Sequence, residues 1–239
     1  REQPDIVFTL NDPWIASDQY RRIEDLHKQG KFKFVGYLTM DSYNWLGGID
    51  PHINVWDSVI TFTEFGAYEF LKAGINRPIT VIPHGLDADV FYPIDKKEAR
   101  KELKLSEDIF ICFNGQRNQP RKRIDITIAA FAQFAVGRPD TQLYLHMGLK
   151  DQGWDAMGLF AREMRKNGLD PNNRIIMTTN SPQPPNVSVE MLNTIYNVAD
   201  VGINTTKGGG WELVNFEHAA CRVAQVVSDH TSTKEIFEG

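Results

Sequence analysis

The sequence predicts an α/β protein built from two doubly wound parallel sheets, and three observations carry that prediction. Short apolar runs alternate with helical patterns along almost the whole of the 239 residues. Alternation of this kind marks βαβ units, because parallel strands need a crossover, usually a helix, between them. The alternation falls into two series on either side of a charged stretch, and a hydrophobic content of 41% is enough for packed cores.

In the first series residues 5–10, 34–38, 58–62 and 79–82 read as strands, with helices near 17–29 and 65–73. His84-Gly85-Leu86-Asp87 and Phe91-Tyr92-Pro93 follow, then residues 95–107, which read as a linker carrying a short solvated helix. The boundary is therefore placed near residue 95, giving domains 1–95 and 96–239. The second series has strands over 109–114, 142–147, 174–177, 201–204 and 225–228. After the first of these, Ile124, Ile128, Phe131 and Ala135 recur at helical spacing and form one apolar face for packing on a sheet. Helix 156–167 starts at Asp155 as N-cap and stops at Gly168, and helix 189–199 starts at the cap Ser188. The cluster Pro182 to Pro185 reads as a loop.

A net charge of −5 argues against general affinity for nucleic acid or an anionic membrane, so any anion site must be local. The two cysteines, Cys112 and Cys221, are too few for a disulfide framework and fit a reducing cytoplasm. The longest weakly polar stretch, 124–136, is far short of the ~20 residues that span a bilayer. A soluble cytoplasmic protein is expected, and peripheral contact with a membrane is compatible with that. Arg1 lies one short turn before a strand and Gly239 just after a helix-like segment, so the sequence is read as incomplete at both ends.

In a doubly wound sheet ligands bind beyond the carboxyl ends of the strands, which directs attention to the loops after Asn114 and Asn204. The first runs Gly115-Gln116-Arg117-Asn118-Gln119-Pro120-Arg121-Lys122-Arg123, with four basic residues at a helix start. Cations there oppose the helix dipole, a cost relieved either by an anion bound there or by the charges reaching solvent. Arg117 offers a planar fork to two oxygens and Lys122 a point charge. The second loop runs Asn204-Thr205-Thr206-Lys207-Gly208-Gly209-Gly210-Trp211-Glu212-Leu213. Its glycines let backbone come close to a ligand, and the helix start that follows offers free N–H groups to an anion.

Ile82-Pro83-His84-Gly85-Leu86-Asp87, Phe91-Tyr92-Pro93, the Arg117 and Lys122 pair before Ile124-Asp125, Ala199-Asp200-Val201-Gly202-Ile203 and the segment Trp211 to Ala220 follow one another in an order and spacing that closely resembles the retaining GT-B glycosyltransferases of family 4. Trp56 to Thr61 and Gly74-Ile75 resemble the last portion of that family's acceptor-side domain. The resemblance implies two Rossmann-like domains. Domain 1–95 would be the end of the acceptor-side domain, and 96–239 the domain that binds the nucleotide sugar. The family's N-terminal glycine-rich loop would precede Arg1, and its final strand and returning helices would follow Gly239.

The implied activity is retaining transfer of a sugar from a UDP- or GDP-linked donor to a glycan, lipid-linked or small-molecule acceptor, with no metal and no further cofactor. Arg117 and Lys122 would neutralise the departing diphosphate, since fixed cations at a leaving group lower an oxocarbenium-like barrier. Glu217 matches the second glutamate of the family's Glu-seven-residue-Glu motif, which holds the ribose, while Gly209 stands where the first belongs. Glu212 lies three residues later, and the resemblance would place it in contact with sugar hydroxyls beside the catalytic cations. Gly115, Gly209, Gly210, Trp211 and Leu213 complete the donor-binding set. Asp41, Tyr43 and Trp45 are read as acceptor contacts or loop anchors, and His84 as a hydrogen-bonding or backbone-positioning residue. No two of the six histidines show i, i+4 ligand spacing, so no metal site is expected. Two alternatives stand beside this reading: a module that binds nucleotide sugar without transferring it, and a nucleotide-sugar epimerase.

Overall fold

The computed structural model describes residues 3–45 and 49–238; Arg1 and Gly239, on which the reading of the ends rests, lie outside the described residues. The chain forms two compact units, one of residues 1–85, 208–211 and 229–239, the other of residues 86–207 and 212–228.

The first unit is built on a four-stranded parallel sheet in the order β1 (Ile6–Asn11), β2 (Lys33–Leu38), β3 (Ser58–Thr61) and β4 (Ile79–Val81). The order follows the sequence, as expected for strands joined by successive crossovers. Alternate residues of β2 are buried, and Phe34, Leu38 and Val59 pack with Tyr20, Trp56 and Phe70 from the helical side. On β1 the opposite alternation leaves Ile6, Phe8 and Leu10 half exposed. The helix expected over 17–29 is two helices, α1 (Pro13–Arg21) and α2 (Glu24–Lys28). Pro13 at the first helical position favours an earlier start, because its fixed φ suits a helix and its missing N–H is not needed there. Helix α3 (Glu64–Lys72) is capped twice. Thr63 Oγ1 accepts from Gly66 N–H at 3.1 Å, and Glu235 accepts from the N–H groups of Glu64 (2.9 Å) and Phe65 (2.8 Å).

The second unit is a five-stranded parallel sheet in the order β7 (Ile175–Met177), β6 (Thr141–Leu145), β5 (Phe110–Asn114), β8 (Val201–Ile203) and β9 (Ala224–Val226). Helices α5 (Ile124–Phe134) and α6 (Ala156–Lys166) share one apolar core with β5 and β6. A second core joins α4 (Lys96–Glu102), α7 (Val189–Asn197) and α8 (Leu213–Ala220). The strand order reverses beside β5, so the carboxyl end of β5 is the switch point where such sheets bind ligands. The expected caps form: Asp155 accepts from Gly158 N–H at 3.1 Å and Ser188 from Met191 N–H at 3.3 Å. Gly168 ends α6 with φ 73°, a backbone glycine adopts without strain.

Residues 95–107 differ from their expectation as a solvated linker. Asp95 caps α4 through Lys97 N–H (2.9 Å) and Glu98 N–H (3.1 Å), and Ala99 and Arg100 are buried. The Arg100 guanidinium donates to the carbonyls of Val198 (3.1 and 3.0 Å) and Glu107 (2.7 Å) and to Asp200 (2.7 Å). A charge run looks solvated in sequence, but one long arginine stem can cross into a core when carbonyls receive its head. Among the described residues, no helix is long and apolar enough to cross a bilayer. Cys112 and Cys221 are buried free thiols, and burial pushes them up to about 12 and about 11.

Candidate functional site

The loops after β5 and β8 converge at the switch point. Gly115 follows β5 where an added Cβ would lie 2.9 Å from both Phe113 and Val214 side-chain carbons, so its small size lets α8 approach the strand end. Asn114 donates to Thr127 Oγ1 (2.9 Å), and its side-chain oxygen accepts from Gln116 N–H (2.9 Å), which turns the chain away from β5. Asn118, fully buried, donates to the carbonyls of Gly148, Leu149 and Trp154 and accepts from Trp154 N–H. It ties the β5 loop to the β6 loop, where Asp151 holds Arg117 through two bonds of 3.1 Å each.

Lys122 ends a single 3₁₀ turn (Pro120–Lys122) and donates to both carboxylate oxygens of Glu212, at 2.7 and 2.8 Å. Both side chains are nearly inaccessible, and Asn204 donates to the same carboxylate at 3.0 Å. Asn215 extends the network: its side-chain oxygen accepts from Asn204 (2.8 Å) and Gln116 (3.0 Å), and its nitrogen donates to Gln225 (2.8 Å). Glu212 precedes α8 with φ 62°, and Arg123 precedes α5 with φ 50°. Neither supplies a side-chain cap to the helix it precedes.

The basic loop is compensated from within. Arg117 faces Asp151, Lys122 faces Glu212, Arg123 faces Asp125 at 2.9 Å, and Arg121 lies 3.9 Å from Glu212. The cost inferred from four cations at a helix start is thus met by this chain's own carboxylates and does not by itself demand an external anion. Asp151, Asn118, Asn204 and Asn215 are the residues that sequence reasoning missed. Their partners lie 8 to 99 residues away, most of them on another loop or element, beyond any local pattern.

Beside this network opens a cleft of about 350 Å³ lined by Gly115, Arg117, His146, Leu213 and Glu217, with Pro184 and Pro185 among its apolar residues. Four of the expected site residues therefore share one cleft, while Lys122 and Glu212 form their own buried pair. Burial pushes the Glu217 carboxyl above its ordinary range, opposed by a hydrogen bond from the Tyr196 hydroxyl at 2.9 Å. Burial lowers His146 to about 4, and its Nδ1 is bonded to Thr178 Oγ1 at 2.9 Å, so at neutral pH the cleft holds a neutral imidazole.

Gly209, Gly210 and Trp211 belong to the other unit. There a Cβ on Gly208 would lie 1.9 Å from the Asp41 carbonyl oxygen, and one on Gly210 would lie 2.0 Å from Thr39 Oγ1. Close approach of the chain's own residues 39–41 accounts for these two glycines. Ser232 donates to the Gly209 carbonyl. Trp211 packs edge-on against His84 at 5.7 Å, and burial lowers His84, whose ring lies 4.1 Å from that of Phe62. The Tyr43 hydroxyl accepts from Thr231 N–H (3.1 Å) and its ring meets Phe65, while Trp45 meets Trp14. Both aromatic residues thus anchor a loop.

Two parallel-sheet units in one chain, one with a cleft at the switch point of its sheet, define the GT-B class. Solved structures share this fold. Sucrose-phosphate synthase from Thermosynechococcus elongatus superposes with a TM-score of 0.70 at 20% identity, covering 97% of this chain and 57% of that one. Anabaena HepE, solved with UDP and glucose, superposes at 0.68 with 16% identity over 98% and 62%. In sequence, a D-inositol 3-phosphate glycosyltransferase of Segniliparus rotundus is 32% identical over 163 residues, 67% of this chain and 34% of that protein. Its counterpart in Stackebrandtia nassauensis is 27% identical over 135 residues, 53% and 30%. No established family profile matches the chain. The chain has the GT-B fold and is similar in sequence to these glycosyltransferases, and it spans about a third of the length of the curated relatives.

Proposed function

We propose that this protein binds a nucleotide-diphosphate sugar in the cleft of its second unit and transfers the sugar to a carbohydrate or lipid-linked acceptor with retained anomeric configuration. The observation that carries the reading is the meeting of Gly115, Arg117, Leu213 and Glu217 around one cleft at the carboxyl end of β5, beside the buried Lys122. Glu217 would accept from the ribose hydroxyls. The Leu213 N–H at the start of α8 and the Arg117 guanidinium would meet the diphosphate. Negative charge grows on the diphosphate as the sugar leaves, and cations fixed beside it would stabilise that charge without a metal ion. Family-4 membership and metal independence are part of this proposal, as are a cytoplasmic location and a UDP- or GDP-linked donor; the UDP and glucose bound to HepE lend weight to UDP.

The test is incubation with UDP- and GDP-hexoses and a panel of glycan and lipid-linked acceptors, with and without EDTA. Acceptor-dependent release of nucleoside diphosphate, unchanged by EDTA, and an NMR-assigned product of retained configuration are expected. A second reading, binding without transfer, is favoured by one arrangement. Gly209 brings no carboxylate where the family has one, and Glu212 is occupied by Lys122. Tight calorimetric binding of a nucleotide sugar with no turnover on any acceptor would select it.

A further inference from the structure

Glu217 is the carboxylate that the cleft offers to a ligand, and one of its two oxygens is already engaged. The Tyr196 hydroxyl donates to Oε2 at 2.9 Å. Tyr196 sits in α7 and is 1% exposed, with its ring stacked on His218 (5.2 Å between centroids, 26° between planes). Phe113 lies edge-on at 5.7 Å and Phe91 at 5.7 Å on other sides. Such a ring cannot turn, so its hydroxyl points in one direction, and Glu217 lies there.

We infer that Tyr196 is a positioning residue, which fixes the rotamer of Glu217 and so holds its carboxylate in place for accepting ligand hydroxyls. The inference rests on the reading of the cleft given under Proposed function. The physical reason is that a half-buried carboxylate at a protein surface has two ways to fail. It can swing to water, or it can take up a proton. A hydroxyl held by a packed core blocks the first by geometry. It opposes the second because a donated hydrogen bond favours the charged form. Burial works in the other direction and raises the Glu217 carboxyl, so the tyrosine hydroxyl is what restrains the rise. The other titratable groups that face this carboxylate are few. Cys221 on the same helix and His218 beside it are buried and uncharged at neutral pH. From across the cleft, His146 is neutral and Arg117 is held by Asp151. Oε1 is left to meet a ligand's hydroxyls. Tyr196 falls within the helix expected over 189–199, and nothing in the sequence marks what its hydroxyl meets.

The experiment is Tyr196→Phe, which removes one oxygen and keeps the ring. Carbon-13 NMR of the Glu217 carboxyl in the protein without ligand is expected to show its titration midpoint moving up in the variant. Calorimetric affinity for UDP is expected to fall about tenfold at neutral pH, the scale of one lost hydrogen bond to a charged group. The acid limb of its pH profile should move up with the NMR midpoint. In a Glu217→Gln background, Tyr196→Phe is expected to change UDP affinity by less than about twofold, because the two residues act as a unit. An unchanged Glu217 midpoint overturns the inference, as does a Tyr196→Phe effect that persists in full when Glu217 is Gln. If the NMR midpoint moves but neither UDP nor GDP binds to the wild-type protein, the reading of the cleft fails. The role proposed for Tyr196 in ligand binding then falls with it.

Discussion

The Lys122–Glu212 pair offers the sharpest test of how this site is held together. Replacing Lys122 with Met removes the ammonium and leaves a carboxylate whose side chain is 2% exposed. Breaking a buried pair from one side costs about 3–5 kcal/mol, because the remaining charge stays buried without its partner. Asn204 still donates to Glu212 at 3.0 Å and Arg121 lies 3.9 Å away, so the lower end, about 3 kcal/mol, applies here. For a chain of this size each kcal/mol lowers the melting point by roughly 2–4 °C, giving a drop of about 6–12 °C in the transition of the second unit. Scanning calorimetry on Lys122→Met, Glu212→Gln and the double variant measures it. The double variant is expected to be more stable than Lys122→Met alone, since the amide keeps the bond from Asn204 and carries no charge. A coupling below about 0.5 kcal/mol, or a double variant no better than the single, would refute the claim that these two charges hold each other.

His146 and His218 are both held at about 4 by burial, against an ordinary value near 6.5 for histidine. The unfolded chain therefore binds more protons between those values. The stabilising effect of keeping both rings neutral is complete above about pH 6.5 and fades as pH falls through 4. Urea midpoints measured from pH 7.5 to 4 should fall over that interval, and less so in His218→Phe; a flat curve contradicts the assignment. Gly208→Ala sets a methyl carbon 1.9 Å from the backbone oxygen of Asp41, and about 2 kcal/mol or more of destabilisation in the first unit is expected. Gly85→Ala, with nothing within 4 Å of its new carbon, is the control, and equal melting points for the two would dismiss the close approach. Glu235→Ala removes both acceptors from the start of α3 and should cost about 1 kcal/mol. Amide exchange at Glu64 and Phe65 reads the loss, and unaltered exchange there would count against the cap.

Features that depend on neighbours along the chain were legible before folding was considered. The alternation of strands and helices, the caps Asp155 and Ser188, and the stop at Gly168 rest on periodicity and on hydrogen bonds spanning three residues, and the structure carries each of them. The GT-B class was legible because Pro83-His84-Gly85, Arg117, Lys122 and Glu217 keep their order and spacing. Where charge is balanced and why the glycines are there emerge once distant segments meet in the fold. Lys122 meets a carboxylate 90 residues later, Arg117 meets one 34 residues later, and Gly208 makes room for Asp41. Pairings across such distances depend on the register of a whole sheet and on which loops it brings to one edge. Single-chain spacing carries no record of that, since the same nine-residue basic loop reads as an open anion trap until its partners arrive from β6 and α8.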